Sequence, residues 1–97
     1  MSAYIVVDIK VTDPKQYQEY AKLAGKTVQA FGGEYLVRTN EVEGLEGTWI
    51  PPRLVILKFE NKAQAKAWWD SEQYREPKAM RQKASDAQMV LVDGYDG

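Results

Sequence analysis

The sequence predicts an α+β fold in a single domain spanning residues 1–97, and three observations carry that expectation. Several stretches alternate apolar and polar residues with a period of two. Two others repeat apolar residues at three- and four-residue steps behind a capping residue. The two kinds interleave as strand–helix–strand–strand–helix–strand.

Ala3–Val11 is the first strand, with Ile5, Val7, Ile9 and Val11 on one face and Tyr4, Val6, Asp8 and Lys10 on the other. The wholly apolar face calls for a helix layer, and β-branched residues suit the pleat. Asp13-Pro14-Lys15-Gln16 opens a helix: Asp13 caps, Pro14 takes the first helical position and Gln16 completes a capping box. Tyr17, Tyr20, Ala21, Ala24, Val28 and Phe31 form its apolar stripe, and Gly32-Gly33 ends it. Glu34–Asn40 is the second strand, with Tyr35 and Val37 facing opposite to Leu36 and Arg38.

Glu41–Pro52 is a long acidic connection carrying Trp49 before Pro51-Pro52, and Arg53–Phe59 is the most apolar strand, so it is central. Asn61 opens a second helical segment with Ala65, Trp68 and Trp69. Pro77 divides it, giving a bent pair of short helices over residues 61–70 and 76–84. Gln88–Asp93 is the fourth strand, and Gly94–Gly97 frays. Right-handed crossovers then give a ferredoxin-like βαββαβ sheet, order 4-1-3-2, antiparallel, with the helices on one face. The bare face calls for a second subunit as its cover.

The chain has no cysteine and no histidine. That excludes disulfides, thiol and imidazole catalysis, and nearly all zinc, haem and iron–sulfur ligand sets; any acid or base is Asp, Glu, Tyr or Lys, and no cofactor or metal is expected. Glu41, Glu43 and Glu46 are most simply a solvated loop. Thirteen basic and fourteen acidic residues spread along the chain leave a charge of −1 and no basic stripe, so no nucleic-acid partner is expected. No apolar window approaches the ~20 residues that span a bilayer, and the N-terminus lacks the pattern of a signal peptide. A cytoplasmic protein without a membrane partner is the expectation.

The topology gathers Asp8, Arg38, Arg53 and Trp49 at one end of the sheet, and Tyr4 with Asp93 at the other. About five residues at ~3.3 Å each separate Asp8 from Asp93, so the two are no carboxylate dyad. In the first cluster Arg38 or Arg53 would hold a carboxylate or enolate, and Asp8 would orient an arginine or accept a proton. An ion pair that only fixes register is the structural alternative. Arg53 shares a face with Val55, Leu57 and Phe59, which places it toward the helices unless Pro52 re-aims it. Trp68, Trp69 and Tyr74 line either a ligand cavity on the helix side or, as an aromatic stripe at helical spacing, the core. Arg75, Lys78, Arg81 and Lys83 make a solvated helix face, with Arg81 turned into a pocket as the alternative.

The segments AYIVVDIKVTDPKQYQEY, AFGGEYLVRTNEVEGLEGTW, PPRLVILKFENKAQAKAWWDSEQY and MVLVDGY together resemble the small bacterial family catalogued as domain of unknown function 1330. The resemblance covers essentially the whole chain and implies a dimeric α/β barrel, with two four-stranded sheets closing across a dimer interface and an internal cavity in each half. Matched positions are Asp8, Arg38, Glu46, Gly47, Trp49, Arg53, Trp68, Ser71, Tyr74 and Asp93. Many relatives carry histidine before the Gly-Gly pair; this chain has Phe31. The resemblance assigns no activity. Three functions stay open: a homodimer holding a small aromatic or carboxylated molecule, a cofactor-independent enzyme of monooxygenase or isomerase type, and a purely structural dimerisation domain.

Overall fold

The computed structural model describes residues 1–95. Its elements run β1 (Ala3–Val11), α1 (Pro14–Ala30), β2 (Glu34–Thr39), β3 (Leu54–Phe59), α2 (Lys62–Trp69), α3 (Glu72–Ala84) and β4 (Ser85–Asp93). The four strands lie in the order β2-β3-β1-β4, every neighbouring pair antiparallel. This is the expected 4-1-3-2 ferredoxin-like sheet.

All three helices cover one face. Ala3, Ile5, Val7 and Ile9 of β1 and Val55, Leu57 and Phe59 of β3 are buried under Tyr20, Ala24 and Val28 of α1 and Ala65, Trp68 and Tyr74 of α2 and α3. The alternate residues form the bare face. There Val37, Ile56, Val6 and Val90 stand in register across all four strands. Val90 and Val92 are exposed, as is Leu36 on the edge strand.

The helix starts follow their caps. Asp13, Asn61 and Ser71 side-chain oxygens accept from the backbone N–H groups of Gln16, Gln64 and Tyr74. The capping box expected at Asp13 is not closed, because the Asp13 N–H donates to the Ala84 carbonyl; at Asn61 the Gln64 side chain likewise turns away, donating to the Phe31 carbonyl and tying α2 to the end of α1. Two boundaries differ from expectation. Helix α3 begins at Glu72 and carries Pro77 within it, since a Ser71 cap sets the first turn and proline there forfeits only one backbone bond. Strand β4 begins at Ser85, because Ile9–Val11 extend β1 far enough to pair with Ala87–Ser85. At the C-terminal end Gly94 donates its N–H to the Ser2 carbonyl, which opposes fraying at that residue; Asp96 and Gly97, the last of the expected fray, lie outside the described residues.

The β2–β3 pairing carries the third difference. Tyr35 opposes Leu57 and Val37 opposes Ile56, leaving Leu36 as the extra residue of a bulge. Simple alternation put Arg38 opposite Tyr35; the bulge puts both on the helix side, and Val37 on the bare face.

Gly32 takes φ +75° at the end of α1, a conformation glycine adopts without strain. A Cβ on Gly33 would lie 2.6 Å from Phe59 Cε1 and 2.9 Å from Val28 Cγ1, both buried side chains. Gly33→Ala should therefore destabilise the domain by ~1–3 kcal/mol, read as a lowered midpoint of urea unfolding with an unchanged slope.

Candidate functional site

An open groove of about 600 Å³ lies at the sheet end where β1 and β2 finish and β3 begins, with α1 as its other wall. Tyr17, Ala21, Arg38 and Arg53 line it and also line a second, interior cavity of about 30 Å³. The cavity runs between sheet and helices, and Tyr20, Tyr35, Trp68 and Arg81 complete its polar and aromatic wall. Among the described residues no carboxylate lines either space.

Each arginine reaches its place for a local reason. Arg53 follows the parity of Val55, Leu57 and Phe59 and points to the helix side, and its own carbonyl still accepts from Ile9 N–H at 2.9 Å. Its Nη1 donates to Asn40 Oδ1 at 2.9 Å, its Nε to the Tyr17 hydroxyl at 3.4 Å, and its guanidinium lies 5.7 Å from the Tyr17 ring centroid. Arg38 is brought to the same side by the Leu36 bulge and lies 5.0 Å from the Tyr35 ring centroid. Both side chains meet neutral or aromatic groups, and among the described residues neither enters a salt bridge.

The expected cluster of Asp8, Arg38, Arg53 and Trp49 is divided by the sheet. Asp8 belongs to the bare face, where its Oδ2 accepts from Trp49 Nε1 at 2.8 Å. Trp49 thus fastens the long connection across the bare face and does not overhang the arginines. Tyr4 and Asp93 share an end but not a face: Asp93 pairs with Ala3, one position out of step with Tyr4, and makes an ion pair with Lys62 of α2 at 3.6 Å. Among the described residues no group of acidic side chains could hold a metal ion, the Glu41–Glu46 run included.

Trp68 and Tyr74 belong to the core. Both are essentially inaccessible, their ring centroids are 4.0 Å apart, and Trp68 Nε1 donates to Thr27 Oγ1 at 2.9 Å. The Tyr74 hydroxyl sits 2.9 Å from that of Tyr20 and accepts from Arg81 Nε at 3.3 Å. The solvated basic face expected of α3 is corrected at two positions. Arg81 is buried in the cavity wall, and Lys78 folds over the Trp69 ring at 4.2 Å while donating to the Trp69 carbonyl. Tyr17, Tyr20 and Tyr35 had no part in the expected site. The signal for the first two was present, as the two hydroxyl-bearing side chains of an otherwise apolar helix stripe; the placement of Tyr35 beside Arg38 depends on the bulge. Phe31, at the position where relatives carry histidine, caps α1 and lines neither the groove nor the cavity.

Burial, reinforced by the neighbouring Tyr74 phenol, pushes the Tyr20 hydroxyl well above the ordinary tyrosine range, with Arg81 pulling weakly the other way. Burial also raises Tyr35 against the opposing pull of Arg38. Both phenols therefore stay protonated at neutral pH and act as neutral hydrogen-bonding groups. A raised folded-state pKa favours the protonated form in the native protein. The stabilisation is fully present below the unfolded value of ~10 and is lost as pH rises through the folded value. Urea midpoints should fall above about pH 10, and Tyr20→Phe should reduce that fall by up to ~1.4 kcal/mol per pH unit.

The profile of a family described as "Domain of unknown function (DUF1330)" matches residues 2–95. No curated protein matches the chain. Among solved structures it is similar to a protein of unknown function from Rhodopseudomonas palustris, at TM-score 0.77 and 14% identity, over 99% of this chain and 84% of that one. It is also similar to SnoaB, a cofactor-independent oxygenase from Streptomyces nogalater, at TM-score 0.69 and 8% identity over 99% and 95%. A dimeric ferredoxin-like protein of unknown function from Thermobifida fusca matches at TM-score 0.64 and 15% identity over 97% and 92%. At these identities the likeness is one of fold.

Proposed function

The chain belongs to the DUF1330 family, whose description names no activity, and from that footing we propose that it is a homodimeric small-molecule-binding protein with an aromatic or carboxylated ligand in the α1 groove. One observation carries the reading. Arg38 and Arg53 line both the groove and the cavity behind it, and among the described residues no carboxylate does. An arginine cannot discharge itself by losing a proton, so two of them against neutral oxygens and rings favour an incoming anion. Tyr17, Val11, Pro14 and Ala21 supply apolar wall for the rest of such a molecule.

A second copy suits the bare face. The row Val37, Ile56, Val6 and Val90 is an apolar stripe across the whole sheet, and sheet-to-sheet stacking of two copies covers it symmetrically. The dimeric Thermobifida fusca protein of the same fold supports a second copy as the partner. Catalysis by proton abstraction finds less support. Asp8 is on the far face of the sheet, and Tyr20 and Tyr35 are held neutral.

Calorimetric titration with salicylate and benzoate tests the proposal. The native protein should bind at least one of them, and Arg53→Gln should weaken binding ~10–100-fold, as expected for losing a charge-assisted hydrogen bond. Arg75→Gln, on the exposed side of α3 beside Glu72, should leave affinity unchanged. Equal affinity in the native protein and Arg53→Gln, or no binding of either acid, would overturn it.

A further inference from the structure

Arg81 is only 5% exposed, and among the described residues it has no carboxylate partner. Its Nε donates to the Tyr74 hydroxyl, itself 2.9 Å from the Tyr20 hydroxyl. Asp86 shares an outer depression with Arg81, yet the two form no ion pair. A buried guanidinium keeps its charge, because its pKa is too high for burial to neutralise it. Among the described residues no buried side-chain nitrogen lacks a partner, so the remaining Arg81 N–H groups open onto the spaces it lines, where an anion would meet the charge. The same side chain lines the interior cavity, whose volume of about 30 Å³ suits one small polar group. For comparison, a cavity of roughly 10–15 Å³ already accepts a water.

We infer that Arg81 and the Tyr20 hydroxyl, both held from behind by the Tyr74 hydroxyl, form an inner oxyanion subsite at the floor of the cavity behind the groove. It takes a carboxylate or enolate oxygen at the leading end of the ligand. The inference rests on the proposed groove and narrows its ligand to an acid carrying a second oxygen function, one held by Arg38 and Arg53 at the mouth and one by Arg81 at the floor. The Tyr20 hydroxyl donates to the oxyanion or to Tyr74, and the Arg81 charge meets its anion when the subsite is filled.

The test uses acetate, a probe small enough for the inner cavity, and follows the arginine Nε–Hε signals of the native protein by NMR at pH 6, assigned with single arginine variants. Saturable movement of the Arg81 signal is expected, together with movement of those of Arg38 and Arg53. Arg81→Gln, checked for native near-ultraviolet circular dichroism, should bind salicylate at least tenfold more weakly. Movement of Arg53 with Arg81 unmoved at saturation would overturn the inner subsite and leave the groove standing. If none of the three signals moves, the groove reading fails as well.

Discussion

Trp68→Ala should cost the domain ~3–5 kcal/mol, the largest stability loss of any single substitution considered for this chain. Trp68 is essentially inaccessible, packs on Tyr74, Phe59 and Trp69, and closes one wall of the interior cavity. Truncation removes the indole's contacts at the junction of α1, α2 and β3 and takes away the donor to Thr27 Oγ1. Thr27 keeps its own bond to the Ala24 carbonyl, so the loss is one of packing more than of an orphaned polar group. Against a typical total of ~5–15 kcal/mol, the variant should be marginally folded at 37 °C. Trp68→Phe, which keeps a ring and drops the indole donor, should recover more than half of the loss. Urea unfolding followed by circular dichroism measures both; a Trp68→Ala cost under ~1 kcal/mol would show that the cavity wall collapses freely around the missing ring.

The second large effect is expected on assembly. Val6 lies in β1 at the middle of the bare face, between Ile56 and Val90. In a protomer an aspartate there meets water. In a symmetric sheet-to-sheet dimer it would be buried without a partner, at a cost of ~3 kcal/mol or more for each copy. Three kcal/mol alone is about a hundredfold in dissociation constant, and symmetry applies it twice. The native chain should therefore sediment as a dimer and Val6→Asp as a folded monomer. A native monomer, or a Val6→Asp dimer, would remove the bare face from the interface.

Much of this fold was legible in the residues. Strand β1 announces both its faces by alternation, and the caps at Asp13 and Asn61 mark two helix starts, whereas Pro77 drew the expected start of α3 past the Ser71 cap that sets it. The four-strand order then follows from crossover handedness. The site was legible only in part, because its composition hinges on single-residue offsets. Nothing in EYLVRT marks Leu36 as the extra residue, yet that one bulge turns Arg38 from the bare face to the groove. Asp8 and Arg53 sit at one sheet end, as topology requires, but parity puts them on opposite faces. Arg81 was the hardest to read. Flanked by Arg75, Lys78 and Lys83 on a polar helix, it has the pattern of a solvated face, and only the packing of α3 against α1 buries it beside Tyr74 and Tyr20.

The central claim is that a small acid occupies the groove between α1 and the arginine-bearing strand ends. The most direct measurement is a crystal structure of the protein grown with saturating salicylate. Density in the groove, with the carboxylate within hydrogen-bonding distance of Arg38 or Arg53, is the predicted result. Salicylate seated only on the bare face, or ordered nowhere at saturation, would contradict it.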